Sequence, residues 1–357
     1  MSQSVSWQAE LDALKALSAR IGSDPLLTQG AGGNTSLKVD GTLWIKASGT
    51  WLADALERDI MVPVAFGPLL DAVAAIDPVA ERAHEFTIAA QNASGLRPSI
   101  ETTVHALLPQ RVVLHVHCVD TIAFAVRSDC VEQISPRLEG LNWAYVPYAR
   151  PGLPLALAIA EHRDQRPDVL VLANHGLVVS AETVDAAEAL LLDVKQRLRA
   201  EPRRPEAVAD IRWLEEAAAA EAADVSYRLP QSDVAHDAAL DPASLEIAAL
   251  GSLYPDHVIF LGQGSTIAGA GEDAAAVARR LGFAPASILF PGKGVLMRAD
   301  MPPGADAMAR CLADVLARIP AGAPVRVLTA GEILQLTDWD AEKYRQELAR
   351  KAVRKIA

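Results

Sequence analysis

Cysteine is scarce: Cys118, Cys130 and Cys311 are the only three in 357 residues. An odd number at such wide spacing excludes a disulfide scaffold and suits a reducing cytoplasm. No run of apolar residues approaches the roughly 20 that span a bilayer. The opening stretch, Met1-Ser2-Gln3-Ser4-Val5-Ser6-Trp7, has neither the basic nor the apolar region of a secretory leader. Positive charge is also in deficit. Lys and Arg number 33 against 45 Asp and Glu, a net charge of -12, which argues against a nucleic-acid surface. What remains is an acidic, cytoplasmic α/β protein with 51% apolar residues, enough for a substantial core. Its length fits two domains, or one large domain with an added lobe.

The positive signal begins at Leu114-His115-Val116-His117, on a strand framed by Val112 and Val113. Residues i and i+2 of a strand share a face, so two imidazoles stand side by side, half of a tetrahedral metal site. The chain offers further ligands of suitable type in Glu101, within Pro98-Ser99-Ile100-Glu101, and His175, within Ala173-Asn174-His175-Gly176. Three histidines and a carboxylate suit a catalytic zinc. Taken alone, the His pair reads as two core imidazoles held by hydrogen bonds, and only its company changes that. Cys118 points away from His117 on a strand and reads as core packing. His105 reads as a neighbour of the site, while His84, His162, His236 and His257 read as surface or loop residues.

Along the chain, Leu11, Leu14, Leu17 and Ile21 give a helical spacing ended by Gly22 and Pro25. Gln29 to Ser36 is a glycine-rich loop leading into Leu37-Lys38-Val39. Asp40-Gly41 turns the chain into the returning strand Thr42 to Lys46, followed by the turn Ala47-Ser48-Gly49-Thr50. Such loops can offer N–H groups to an anion, joined by Asn34, Ser48, Thr50 and Lys46. Taken alone, they are turns. Asp59 to Val64, Asn142 to Val146 and Val169 to Leu172 read as strands, with Leu177 to Val179 continuing beyond the last. Residues 66–76, 78–92, 118–126, 154–163 and 182–200 read as helices. Ser99 caps a short helix to Leu108 with Glu101 in its first turn. The alanine- and acid-rich stretch around Trp213, Glu215 and Glu221 is helical. Beyond it, His257 to Leu261, Ser287 to Phe290 and Val325 to Leu328 read as strands, and 273–281, 305–319 and the end from Ala341 as helices. Gly262-Gln263-Gly264 lacks the third glycine of a dinucleotide loop, and Pro291-Gly292-Lys293-Gly294 lacks phosphate-loop spacing, so both are turns.

Gly33-Asn34-Thr35-Ser36, Ala47-Ser48-Gly49-Thr50, Pro98-Ser99-Ile100-Glu101, His115-Val116-His117 and Asn174-His175-Gly176, in this order, resemble the class II aldolase/adducin superfamily. The resemblance covers about residues 10–200. The wording of Trp44 to Leu52 is most similar to the aldolase part of bifunctional rhamnulose-phosphate aldolase/short-chain dehydrogenases, and the part beyond residue 240, including Trp339 to Lys351, resembles the tail of that aldolase part; the dehydrogenase part has no match. The resemblance implies a three-layer α/β/α fold with a mixed, largely antiparallel central sheet and a smaller C-terminal α/β lobe. The expected division is 1–205, a helical connector over 206–240, and a lobe over 241–357. It implies His115, His117 and His175 as metal ligands, Glu101 as acid/base, and Asn34, Ser48, Gly49 and Ser99 as holders of a substrate phosphate. Two departures stand out: Ser-Ser-Glu is Ser-Ile-Glu at Ile100, and the family's tyrosine proton donor has no aligned counterpart, although Tyr145 and Tyr148 lie nearby in sequence.

The implied chemistry is zinc-dependent aldol cleavage of a ketose phosphate or related hydroxy-ketone through an enediolate, with cobalt or manganese able to replace zinc. No lysine Schiff base is indicated, so the metal serves as the electron sink. Epimerisation, decarboxylation and dehydration of sugar or sugar-acid phosphates draw on the same site. A non-enzymatic, adducin-like interaction module is the reading from another class, disfavoured because all three histidines are present. A homo-oligomer, a tetramer by resemblance, acting on a small molecule completes the expectation.

Overall fold

Most of the β-branched and apolar runs form the expected strands, and the computed structural model describes residues 6–219 and 225–338. The chain divides into two units, Met1–Thr121 with Val131–Arg199, and Ile122–Cys130 with Ala200–Ala357. In chain order, the elements through residue 197 are α1 (Trp7–Gly22), β1 (Asn34–Val39), β2 (Thr42–Lys46), β3 (Met61–Ala65), α2 (Phe66–Ala74), α3 (Thr102–Leu107), β4 (Val112–Val116), α4 (Val119–Ala125), α5 (Cys130–Ile134), β5 (Trp143–Val146), α6 (Leu153–Ala160), β6 (Val169–Leu172), β7 (Gly176–Ala181) and α7 (Val184–Arg197). The strands form a seven-stranded sheet in the order β3-β2-β1-β4-β7-β6-β5. Every neighbouring pair is antiparallel except β5 with β6. Helices α1 and α7 pack together, on β1 and on β4 and β7; α2, α3 and α6 pack on one another. Val104 of α3 and Leu155, Ala156 and Ile159 of α6 meet Val113, Leu170, Leu172 and Val178 of the sheet in one core. The result is the expected three-layer α/β/α arrangement around a mixed, largely antiparallel sheet.

Alternation along β1 explains the layering. Thr35 bonds Ser18 of α1, whereas Asn34, Ser36 and Lys38 reach toward α3 on the other face. The Asp40-Gly41 turn has positive φ at both residues, 45° and 79°, the twist that a two-residue hairpin requires.

The second unit holds α8 (Ile211–Ala219), β8 (Tyr227–Arg228), α9 (Asp237–Leu240), α10 (Pro242–Ala248), α11 (Pro255–Leu261), α12 (Ala274–Leu281), β9 (Ser287–Phe290), β10 (Gly294–Arg298), α13 (Pro303–Arg318) and α14 (Ala330–Thr337). Its three strands run in the order β8-β10-β9, with Leu214, Ile288, Phe290 and Leu296 in its core. This is the additional α/β portion expected beyond the first sheet.

Several local expectations fail for identifiable reasons. Residues 78–92 are not one helix but three short 3-10 turns. Thr87 bridges Val64, and Ile88 N–H donates to Pro63 O, so β3 holds the chain extended between turns. His257 to Leu261 is helical, not a strand: Pro255 opens the helix and Gly262, at φ 92°, closes it. A short apolar run cannot distinguish the two states by pattern. Val325 to Leu328 makes no ladder, because Val325 bridges Arg127 while Leu328 N–H donates to Ser252 O. Leu177 to Val179 does not continue β6. It belongs to β7, which runs back along β6. The helix expected from Ala341, the stretch Trp339 to Lys351 and Glu221 lie outside the described residues.

Candidate metal and acid/base site

One end of the sheet gathers the candidate residues. Strand register sets Asn34 of β1 opposite His115 of β4, and His115 opposite Val178 of β7. His117 follows the end of β4 directly. His175 sits in the reversal between β6 and β7, where Asn174 adopts a left-handed φ of 51° and His175 N–H donates to Leu172 O at 3.1 Å. The three rings converge, with centroids 4.9 to 5.3 Å apart. One nitrogen from each lies within 4.8 Å of the others, and all three residues are buried. Small ring rotations bring such a trio onto a common ion at the usual nitrogen–metal distance of about 2 Å.

The carboxylate of Glu101 closes the group. Its Oε2 lies 3.4 Å from His115 Nε2 and its Oε1 lies 3.6 Å from His175 Nε2. Asn34 Nδ2 donates to Oε2 at 2.7 Å. His115 Nδ1 faces the carbonyl of Leu177 at 3.1 Å. A carbonyl only accepts, so Nδ1 carries the hydrogen and Nε2 presents its lone pair toward the group. The donor set therefore fits a borderline divalent cation such as zinc.

Burial alone raises the Glu101 carboxyl. The electrostatic pull of His115, His175, His117 and His105 outweighs it and brings the group down to about 2. Glu101 is thus an ionised base in neutral solution, the direction that sequence left open.

Glycines let the backbones close around the site. A Cβ on Gly176 would stand 2.6 Å from Val116 O and 3.4 Å from His117 Cα. Neither atom can yield without moving β4. Gly176→Ala should therefore destabilise the fold by about 2 kcal/mol or more and loosen the His117–His175 approach. Thermal melting and zinc titration check this, and a variant matching wild type in both contradicts it.

The expected anion-holding residues are drawn together by backbone bonds. Ala47 bridges Pro98, Ser48 N–H donates to Arg97 O at 2.9 Å, and Ser99 N–H donates to Lys46 O at 3.0 Å. Gly49 sits at φ 74°. The Ser48 hydroxyl is buried with no hydrogen-bond partner among the described residues. Because residues 98 and 99 are held extended against β2, α3 begins later than expected. Glu101 is its cap residue, and the Ser99 hydroxyl accepts from Glu101 N–H at 3.1 Å. Lys46, expected to offer charge to an anion, instead spans β2 and the glycine loop, donating to Ala31 O and Gly33 O at 2.7 and 2.8 Å.

No local pattern marks the pairing of β1 with α3 along its length. Asn34 meets Glu101, Ser36 Oγ meets His105 Nδ1 at 2.7 Å, and Lys38 Nζ donates to Leu108 O and Gln110 O. Burial lowers the Lys38 ammonium to about 7, against an upward pull from Glu182. The free value of 10.5 lies above the folded one, so the protonated lysine costs stability in full below pH 7. That cost fades as pH rises toward 10.5. Between pH 6 and 9.5 the wild type should gain on the order of 1 kcal/mol or more over Lys38→Met in urea unfolding; a constant difference contradicts this.

Cys118 is fully buried and burial raises its thiol, consistent with core packing. His236 and His257 correct the surface reading, since both are buried. They accept backbone N–H bonds from Val295 and Leu253 respectively.

A family model described as Class II Aldolase and Adducin N-terminal domain matches residues 16–201. Over 179 residues the chain is 32% identical to the uncharacterized oxidoreductase YuxG of Bacillus subtilis (strain 168), covering 46% of this chain and 25% of that protein. The chain thus spans about a quarter of the length of that curated relative. Among solved structures, the N-terminal class II aldolase domain of a conserved protein from Thermoplasma acidophilum is 27% identical, with a TM-score of 0.46 over 55% of this chain and 95% of that one. L-fuculose 1-phosphate aldolase from Glaciozyma antarctica PI12 is 14% identical, with a TM-score of 0.38 over 56% and 75%. Among the described residues, no helix is long and apolar enough to cross a membrane.

Proposed function

Because the chain belongs to the class II aldolase and adducin family, we propose that it is a metal-dependent lyase that reversibly cleaves a ketose phosphate or related hydroxy-ketone by an aldol reaction. The observation that supports this most is the convergence of His115, His117 and His175 on the Glu101 carboxylate. A divalent cation bound there, zinc first and cobalt or manganese as replacements, supplies Lewis-acid polarisation of the ketone.

The chain's own groups do the rest. His115, His117 and His175 hold the cation, with the His115 ring oriented by the Leu177 carbonyl. In the condensation direction, ionised Glu101 takes the proton from the carbon beside the ketone and the new alkoxide takes one from solvent; in cleavage the substrate hydroxyl gives up its proton and protonated Glu101 delivers one to that carbon. Asn34 keeps one carboxylate oxygen fixed, leaving the other free to accept the proton. The second hydrogen of its amide joins Ser48, Gly49 and Ser99 in holding a phosphate or other anionic end, which fixes the ketone over the cation. In this reading residues 1–205 carry the chemistry of a cytoplasmic homo-oligomer, a tetramer. Light scattering tests that assembly.

The reaction is tested by incubating the metal-loaded protein with a panel of ketose 1-phosphates and sugar-acid phosphates. Released dihydroxyacetone phosphate is followed enzymatically, and all products by NMR, with and without chelator. The expected result is aldehyde and dihydroxyacetone phosphate in equal amounts, lost on chelation. Epimer, carbon dioxide without aldehyde, or turnover that survives metal removal would replace this reading.

A further inference from the structure

The helix that carries Glu101 is fastened to β1 by a repeat that the chemistry itself does not need. Two residues along a strand advance about 6.6 Å, and four along a helix advance about 6 Å. Positions 34 and 36 of β1 can therefore face positions 101 and 105 of α3 in step. The structure uses this match: Asn34 Nδ2 bonds Glu101 Oε2, and Ser36 Oγ bonds His105 Nδ1, each at 2.7 Å. Within the helix, His105 N–H donates to Glu101 O at 3.2 Å, so the two residues move as one piece.

His105 is an expensive choice for packing alone. It is wholly buried, and its Nε2 has no hydrogen-bond partner among the described residues. An apolar side chain would fill the same space without leaving a buried polar atom unsatisfied. Its one bond, to Ser36, sets where α3 sits along β1. Glu101 is the cap residue of a six-residue helix, with no side-chain capping bond of its own. Its carboxylate stands 3.4 and 3.6 Å from two imidazole nitrogens. A slip of α3 by even 1 Å would take it out of register with the three rings.

We propose that the Ser36–His105 hydrogen bond is a positioning device that sets the axial register of α3 on β1 and so holds the Glu101 carboxylate against Asn34 and the histidine trio. Ser36 and His105 touch neither the three rings' converging nitrogens nor the space between them in any described hydrogen bond; they act through Glu101. The consequence for turnover rests on the reading given under the proposed function, whereas the consequence for geometry does not.

Ser36→Ala is the cleanest test, with His105→Gln, which can restore a bond to Ser36, as the second variant should alanine fail to fold. In metal-free protein, exchange of the Asn34 side-chain amide hydrogens, followed by NMR, should quicken about tenfold in Ser36→Ala as the Asn34–Glu101 bond loosens. His105→Gln, in which Ser36 still has a side-chain partner, should keep part of the protection that Ser36→Ala loses. In zinc-loaded protein, Ser36→Ala should lower kcat about tenfold with KM within about twofold, and should cause no further loss on top of Glu101→Gln. Unchanged Asn34 exchange overturns the proposal whether or not the wild type cleaves a ketose. With an active wild type, a neutral Ser36→Ala overturns it, as does a loss that adds fully to that of Glu101→Gln. A wild type inactive on every ketose sinks the aldolase reading alone, and the exchange measurement then decides this one.

Discussion

Replacing Glu101 by glutamine should lower kcat/KM for ketose cleavage by about a thousandfold, within the range for loss of a general acid/base. KM should stay within about twofold and bound zinc should be retained. Glutamine has nearly the same shape, and its carbonyl can still accept from Asn34, so the substitution removes charge and basicity more than structure. The carboxylate of the wild type stays ionised because four imidazoles outweigh the cost of its burial, and an amide cannot take the proton in its place. Steady-state kinetics with metal analysis on the same sample check this. A near-normal rate would mean that the proton moves elsewhere. A rate lost only together with zinc would make Glu101 a ligand and not the acid/base.

His117→Ala should weaken zinc binding at least a hundredfold, an order-of-magnitude expectation for reducing three imidazole donors to two, and should abolish cleavage at ordinary metal concentrations. His117 is the most informative of the three because it lies beyond the end of β4 and outside its ladder with β7. Removing its ring leaves the sheet intact, which unchanged thermal melting should confirm. The cavity left behind should accept free imidazole, restoring part of the zinc affinity. Competition against a chromophoric chelator measures all of this. Unchanged affinity would show that the cluster is a set of packed core histidines.

Much of this geometry was legible in the residues. The reversal at Asn174-His175-Gly176 does not announce itself, whereas the buried β-branched strand around His115 and the Asp40-Gly41 hairpin do, by pattern and turn chemistry. So did the donor set, because imidazoles two apart on a strand can only share a face. Other features depend on contacts distant in sequence. Nothing local in residues 78–92 says that Thr87 and Ile88 are captured by β3. Nothing in Val258-Ile259-Phe260-Leu261 distinguishes a buried helix from a buried strand, although Pro255 and Gly262 carried the signal for a helix and its stop. Lys46 looked like a charge for an anion and is a clamp on the glycine loop. The match of β1 to α3 needs register, which only pairing in space supplies. Glu101 and His105 stand four apart in the sequence, but nothing in it shows that Asn34 and Ser36 answer them.

His115, His117 and His175 together should hold one catalytic divalent cation. X-ray absorption at the zinc edge, on purified protein dialysed against zinc and then against buffer, tests it most directly. The expected result is about one zinc per chain in a shell of three imidazole nitrogens and one or two oxygens at about 2 Å. Protein that retains no zinc, or zinc in a shell without three imidazoles, would contradict it.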